Sequence, residues 1–184
     1  MSGRRFDIRV DDLSGEAVRR LLALHLSGMH ETSPPGHVFA LDLSGLQAAG
    51  VTVWSVWDGD ALAGIGALKQ LDSGAAELKS MRTAPAHLRK GVAAALLDHI
   101  IAEATSRGVR RLSLETGRGP AFEPAIALYR RFGMAPVGVR PNYYPQGGDA
   151  LIMWVRDIDT GEYAERLSII EASISPFLDV ERRQ

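Results

Sequence analysis

The sequence of 184 residues contains no cysteine. That excludes disulfides, thiolate metal sites and covalent catalysis by a thiol, and it suits a reducing compartment. Nor does charge of one sign dominate. The 21 Lys and Arg against 22 Asp and Glu leave a net charge of −1, so no overall field draws the chain to nucleic acid or to an anionic membrane. No stretch approaches the ~20 consecutive apolar residues of a membrane span. The first residues, with Arg4, Arg5, Asp7 and Arg9, lack the apolar run of a signal peptide. The five histidines show no metal-ligand spacing, and neither repeats nor low-complexity segments are found. What these absences leave is a cytoplasmic protein with no metal, no nucleic-acid partner and no membrane, whose charge chemistry must be local. At this length one compact domain is the default.

What is present is a readable order of elements. An Ile8/Val10 strand leads to Ser14, a candidate cap for a helix with Val18, Leu21, Leu22, His25 and Met29 on one face. Thr32 to Gly36, with two prolines, breaks that helix, and Phe39 to Gly50 is expected to form a second short one. Val51 to Trp57, the turn Asp58-Gly59 and Ala61 to Leu71 read as a hairpin. After Ser73-Gly74 comes a strand from Glu77 to Thr83. From about Arg89 the period becomes helical, with Val92, Leu96, Leu97, Ile100 and Ala104, until Gly108. Val109 to Thr116 is the next strand. Pro124 and Gly133 bracket a helix from Ala125 to Phe132. Val137 to Arg140 and Leu151 to Val155 close the sheet. This order predicts a mixed α/β fold with helices on both faces of one sheet, over residues 1–157. Residues 158–184 read as an appended tail, helical around Tyr163 to Ile174. Gly64-Ile65-Gly66 lies inside a strand with no helix behind it, so it is expected to be a bulge or a closely packed strand and not a dinucleotide loop.

The most informative stretch runs from Met81 to Leu97. A strand ends, a turn with Arg89, Lys90 and Gly91 follows, and an apolar helix begins with Val92, Ala93 and Ala94. Unpaired N–H groups and a positive dipole at a helix start suit a pyrophosphate, small residues let it approach, and basic ones add charge. The stretch resembles the acetyl-CoA signature of the GNAT superfamily, in which Gln or Arg is followed after two residues by Gly and, after one more, by Gly or Ala. Gly91 and Ala93 match; Leu88 departs at the first position, with Arg89 one place later. The resemblance runs from about Glu77 to Met134. It implies a twisted mixed sheet of about six to seven strands, acetyl-CoA as acyl donor, and a strand splayed from its neighbour. There the backbone of Met81, Arg82 and Thr83 would meet the pantetheine arm.

Acetyl transfer to an amine needs a neutral nucleophile, oxyanion stabilisation and a proton for the departing thiolate. Ala127-Leu128-Tyr129 with Gly133-Met134 is similar to the superfamily motif whose tyrosine serves as general acid, which points to Tyr129. A packed aromatic with a satisfied hydroxyl is the plainer reading of the same residue. Two carboxylates compete for the base. Glu115 aligns with the glutamate of ribosomal-protein alanine N-acetyltransferases, and Glu77 with that of the histone-acetylating branch. Either is equally readable as a substrate-orienting or solvated charge at a strand end. Asn142-Tyr143-Tyr144-Pro145 and Asp149 to Met153 also resemble the ribosomal branch, whereas Glu77 to Thr83 and Pro120 to Pro124 resemble a bacterial GNAT group whose substrates are mostly unassigned. The expected acceptor is the primary amine of a small molecule. A peptide N-terminus and an inactive CoA-binding module are the alternatives, and a homodimer is left open. Ser33 to Val38 and Tyr143 to Gln146 are expected to shape the acceptor groove.

Overall fold

In a computed structural model the chain is described over residues 6–30, 43–143 and 148–180. Seven strands form one sheet: β1 (Asp7–Val10), β2 (Val51–Asp58), β3 (Ala61–Gln70), β4 (Ala75–Thr83), β5 (Arg111–Thr116), β6 (Ala135–Arg140) and β7 (Ala150–Arg156), in the order β1-β2-β3-β4-β5-β7-β6. Only the β4–β5 pair is parallel. Helices α1 (Glu16–His30), α2 (Leu43–Leu46), α3 (Val92–Ser106), α4 (Glu123–Arg131) and α5 (Gly161–Val180) complete the fold. The seven strands agree with the expected mixed sheet. The expected break at Thr32 to Gly36 and the start of the second helix at Phe39 lie outside the described residues, and α2 covers only Leu43–Leu46.

Each face of the sheet has its own core. On one face Leu96, Leu97, Ile100 and Ile101 of α3 and Ile126, Tyr129 and Phe132 at α4 pack with Leu78, Leu112, Leu114 and Met153 of the strands. On the other, Val18, Leu21 and Leu22 of α1 and Leu46 of α2 pack on Val53, Ile65 and Ala67. Period-2 alternation along β5 sends Leu112 and Leu114 into the first core and turns Arg111, Ser113 and Glu115 to the opposite face. The segment beyond residue 157 belongs to the first core through Ile158, Tyr163 and Ile170. There the Tyr163 hydroxyl donates to the Phe132 carbonyl at 2.8 Å.

One local expectation needs correction. Ser14 does not cap α1: the Gly15 carbonyl accepts the first helical bond, from Arg19 N–H at 3.1 Å, while Ser14 N–H donates to Asp12. An aspartate two residues away offers Ser14 a tighter turn than the helix does. The turn expected over Arg89, Lys90 and Gly91 is present and fixes where the next helix begins. Arg89 and Gly91 have φ of 60° and 80°, left-handed values incompatible with an α-helix, so α3 starts at Val92.

Candidate active site

The site begins where two strands part. The parallel ladder consists of Ala75–Arg111, Ala76–Leu112 and Glu77–Ser113 and goes no further, although β4 continues to Thr83 and β5 to Thr116. Beyond Glu77 the β5-facing side of β4 has no strand partner among the described residues, so its backbone groups remain available. A bulge lies at this point. Lys79 pairs with Ala67 and Arg82 with Ile65, leaving Ser80 and Met81 opposite Gly66 alone. Ser80 takes a φ of 53°, and bulges bend the strand that carries them. The bulge thus bends β4 just past its last contact with β5. Met81 also packs its side chain on the main core, which leaves its backbone for other partners. Thr83 closes the strand opposite Gly64.

Helix α3 starts beside this opening. Gly91 caps it with no side-chain bond, and Ala95 N–H is the first to bond back, to the Gly91 carbonyl at 2.9 Å. The preceding N–H groups, of Val92, Ala93 and Ala94, find no acceptor among the described residues, as expected at a helix start. Arg89 is exposed and Lys90 half-buried in the turn before them. Leu88, at the departing position of the signature, is 57% exposed. Glycines hold the helix close to the sheet. A Cβ on Gly64 would stand 2.8 Å from Val92 Cγ1 and 3.1 Å from the Arg82 carbonyl oxygen, and one on Gly66 would meet Met81 Sδ at 2.6 Å. The Gly64-Ile65-Gly66 stretch is therefore the bulge partner and close-packed strand expected of it.

One residue that holds this turn escaped the sequence reading. His87 ends a 3-10 turn (Pro85–His87) and is buried while Pro85, Ala86, Leu88 and Arg89 are exposed. Its Nε2 lies 3.3 Å from Asp58 Oδ2 at the β2–β3 hairpin. No local signal joins residues so far apart in the chain.

The two glutamates share a face of the sheet, since Glu77 pairs with Ser113 and Glu115 follows two residues on. Each has a cation. Glu77 Oε1 is 2.8 Å from Lys79 Nζ, and Glu115 Oε1 is 2.7 Å from Arg140 Nη2, with the Glu115 side chain 12% exposed. Arg140 also lies over the Tyr143 ring, its Cζ 5.6 Å from the centroid. Tyr129 is 8% exposed and stands in the core on the opposite face. The sheet thus separates the tyrosine from the glutamates, with the β4–β5 opening as the gap between the faces. Ser33 to Val38 and Tyr144 to Gln146 of the expected acceptor groove lie outside the described residues. A groove of about 520 Å³ beside β6, β7 and the start of α5 contains none of the candidate residues.

An open strand edge next to an uncapped, glycine-started helix fits a ligand with an amide-bearing arm and a pyrophosphate. The family model described as "Acetyltransferase (GNAT) family" matches residues 16–134. The chain is 54% identical over 141 residues to the uncharacterized N-acetyltransferase YsnE of Bacillus subtilis, covering 73% of this chain and 93% of that one. It is 52% identical over 130 residues to the uncharacterized N-acetyltransferase YedL of Escherichia coli, covering 71% and 82%. The crystal structure of the ribosomal-protein-S18-alanine N-acetyltransferase from Escherichia coli superposes with a TM-score of 0.65 at 26% identity, over 86% of this chain and 97% of that one. The chain belongs to the GNAT acetyltransferase family. It is an N-acetyltransferase with acetyl-CoA as its acyl donor. No helix among the described residues is long and apolar enough to cross a membrane.

Proposed function

We propose that the chain works in the cytoplasm and acetylates the primary amine of a small molecule by direct attack, with Tyr129 as general acid and Glu115 as general base. The observation that carries this reading is the end of the β4–β5 ladder at Glu77–Ser113. Glu115 stands beyond that last pair, on the edge of the opening, whereas Glu77 stands within the ladder between Lys69 and Ser113. A base must reach the attacking amine directly or through one water, which favours Glu115.

Acetyl-CoA supplies an activated thioester. The first N–H groups of α3, with Arg89, Lys90 and Gly91, hold its pyrophosphate, and the backbone of β4 from Met81 to Thr83 holds the arm. Glu115, 2.7 Å from Arg140 Nη2, takes the ammonium proton of the acceptor. The freed amine attacks the thioester carbon, Tyr129 gives a proton to the sulfur as the C–S bond breaks, the nitrogen's second proton returns to the tyrosinate, and Glu115 releases its proton to solvent. Acetylation of a peptide N-terminus is the second reading, supported by the resemblance of residues 142–153 to the ribosomal branch.

Mass spectrometry of an amine and peptide library incubated with enzyme and acetyl-CoA separates the two acceptors. If nothing is acetylated while CoA binds, the chain is an inactive CoA-binding module. With an accepted amine in hand, Tyr129→Phe is expected to lower the single-turnover rate ~100 to 10,000-fold with little change in acetyl-CoA affinity. An unchanged rate would reduce Tyr129 to a packing residue.

A further inference from the structure

At the end of the sheet away from the β4–β5 opening, three arginines line one groove with none in an ion pair among the described residues. Arg111 opens β5 and stands directly opposite Arg156, which ends β7. Like charges in direct register across two strands destabilise a sheet. Both lie over one ring: their Cζ atoms are 4.9 Å and 5.2 Å from the Trp154 centroid. Arg110 joins them along a groove of about 310 Å³ that reaches Gly74.

Asp72 and Asp157 border the same groove, yet no carboxylate among the described residues comes within 4.0 Å of a nitrogen of the three guanidinium groups. Asp72 instead accepts the Gly74 N–H at 2.8 Å. Solvated surface arginines would need no further account, but Arg111 is half-buried and its Nε is buried with no partner. The ring of Trp154 attracts the cations without accepting the in-plane N–H bonds. Together the three guanidinium groups along the groove could meet an acceptor with several oxygens and more than one negative charge. Guanidinium forks match phosphate in shape, and three of them suit a dianion better than a single carboxylate.

We propose that Arg110, Arg111 and Arg156 form a phosphate-binding subsite, separate from the acyl-transfer site and independent of how that site works. Its ligand is inorganic phosphate or the phosphate group of a small ester.

The test is calorimetric titration of the full chain at constant ionic strength, with CoA present at saturation so that the cofactor's own phosphate contacts are occupied. Inorganic phosphate and glycerol 3-phosphate are the probes, with acetate as a singly charged control. Saturable 1:1 binding is expected. It should weaken by about tenfold or more in Arg111→Gln and in Arg156→Gln, the loss of a charge-assisted bond, and stay unchanged in Arg118→Gln, an arginine outside the groove that lies 3.4 Å from Asp149. Arg156 is exposed, so its variant reports on the site even if Arg111→Gln disturbs folding. An ester that binds more tightly than phosphate identifies a metabolite; equal affinity identifies free phosphate. No saturable binding of either probe, equal binding of acetate, or undiminished binding in Arg156→Gln overturns the proposal.

Discussion

The two faces of the sheet solve different problems. On the face of α3 and α4 the packing is apolar and close, and glycines at 64 and 66 set the distance between helix and strand. The opposite face carries a smaller apolar cluster under α1. Beside it lie charged side chains, Glu77 with Lys79 and Glu115 with Arg140. One face sets where the backbone of α3 and the strands lies and holds Tyr129; the other carries both candidate bases. If the proposed site is right, cofactor binding depends on chain geometry, and the choice of base on side chains that can change without disturbing it.

The largest effect that would break this division concerns the base. If Glu115 takes the acceptor's proton, Glu115→Gln should lower kcat/KM ~100 to 10,000-fold and remove the acidic limb of the pH–rate profile. Glu77→Gln should keep that limb. Acetyl-CoA affinity should be unchanged in both, because neither touches the helix start. The reverse pattern would move the role to Glu77. A loss of cofactor affinity in either variant would show that the two faces are not separable.

A smaller effect sharpens the other half of the comparison. In Gly64→Ala the new methyl would stand 2.8 Å from Val92 Cγ1, in the first turn of α3, and 3.1 Å from a backbone carbonyl that cannot turn aside. Overpacking of this kind typically costs ~1 to 3 kcal/mol, and here it would also lift the helix start proposed to hold the pyrophosphate. Lower stability and weaker acetyl-CoA binding should appear together. Val92→Ala in the same chain should restore part of both, a coupling that a double-mutant cycle measures. If Gly64→Ala changes neither, glycine spacing does not hold α3 in place.

How much of this was legible in the sequence follows the same division. Gly91, the small residues after it and the closely packed Gly64-Ile65-Gly66 strand are local patterns, and the structure places each as expected. The turn over Arg89 to Gly91 and the helix beginning at Val92 were legible too, although the left-handed backbone at Arg89 was not. Long-range pairings had no sequence signature. The Glu115–Arg140 and Asp58–His87 contacts join different strands and turns, and β7 enters between β5 and β6 against chain order. Ser14 had the right residue type for a cap but a competing partner in Asp12. Period and residue type reveal which face a side chain takes; they do not reveal which neighbour it meets across the sheet.

The effect confined to acid pH belongs to His25, on the polar side of the comparison. It lies on α1, and its pKa is lowered to about 4, first by burial and then by the positive charge of Arg82. In the unfolded chain the same imidazole titrates near its ordinary value of 6.5. Between those two values the unfolded state binds the extra proton and the folded state does not, so stability must fall as the pH drops. Above about 6.5 both states are neutral at this residue and the contribution is fully present. His25→Gln keeps a polar side chain that cannot take a proton. Urea midpoints of the two proteins should therefore run parallel from pH 8 to 7 and separate below about 6.5, the wild type falling more steeply toward pH 4.5. Parallel curves throughout would mean that His25 has room to carry its proton in the fold. In that case α1 does not seal this part of the sheet, and the polar face is more open than the packing of His25 implies.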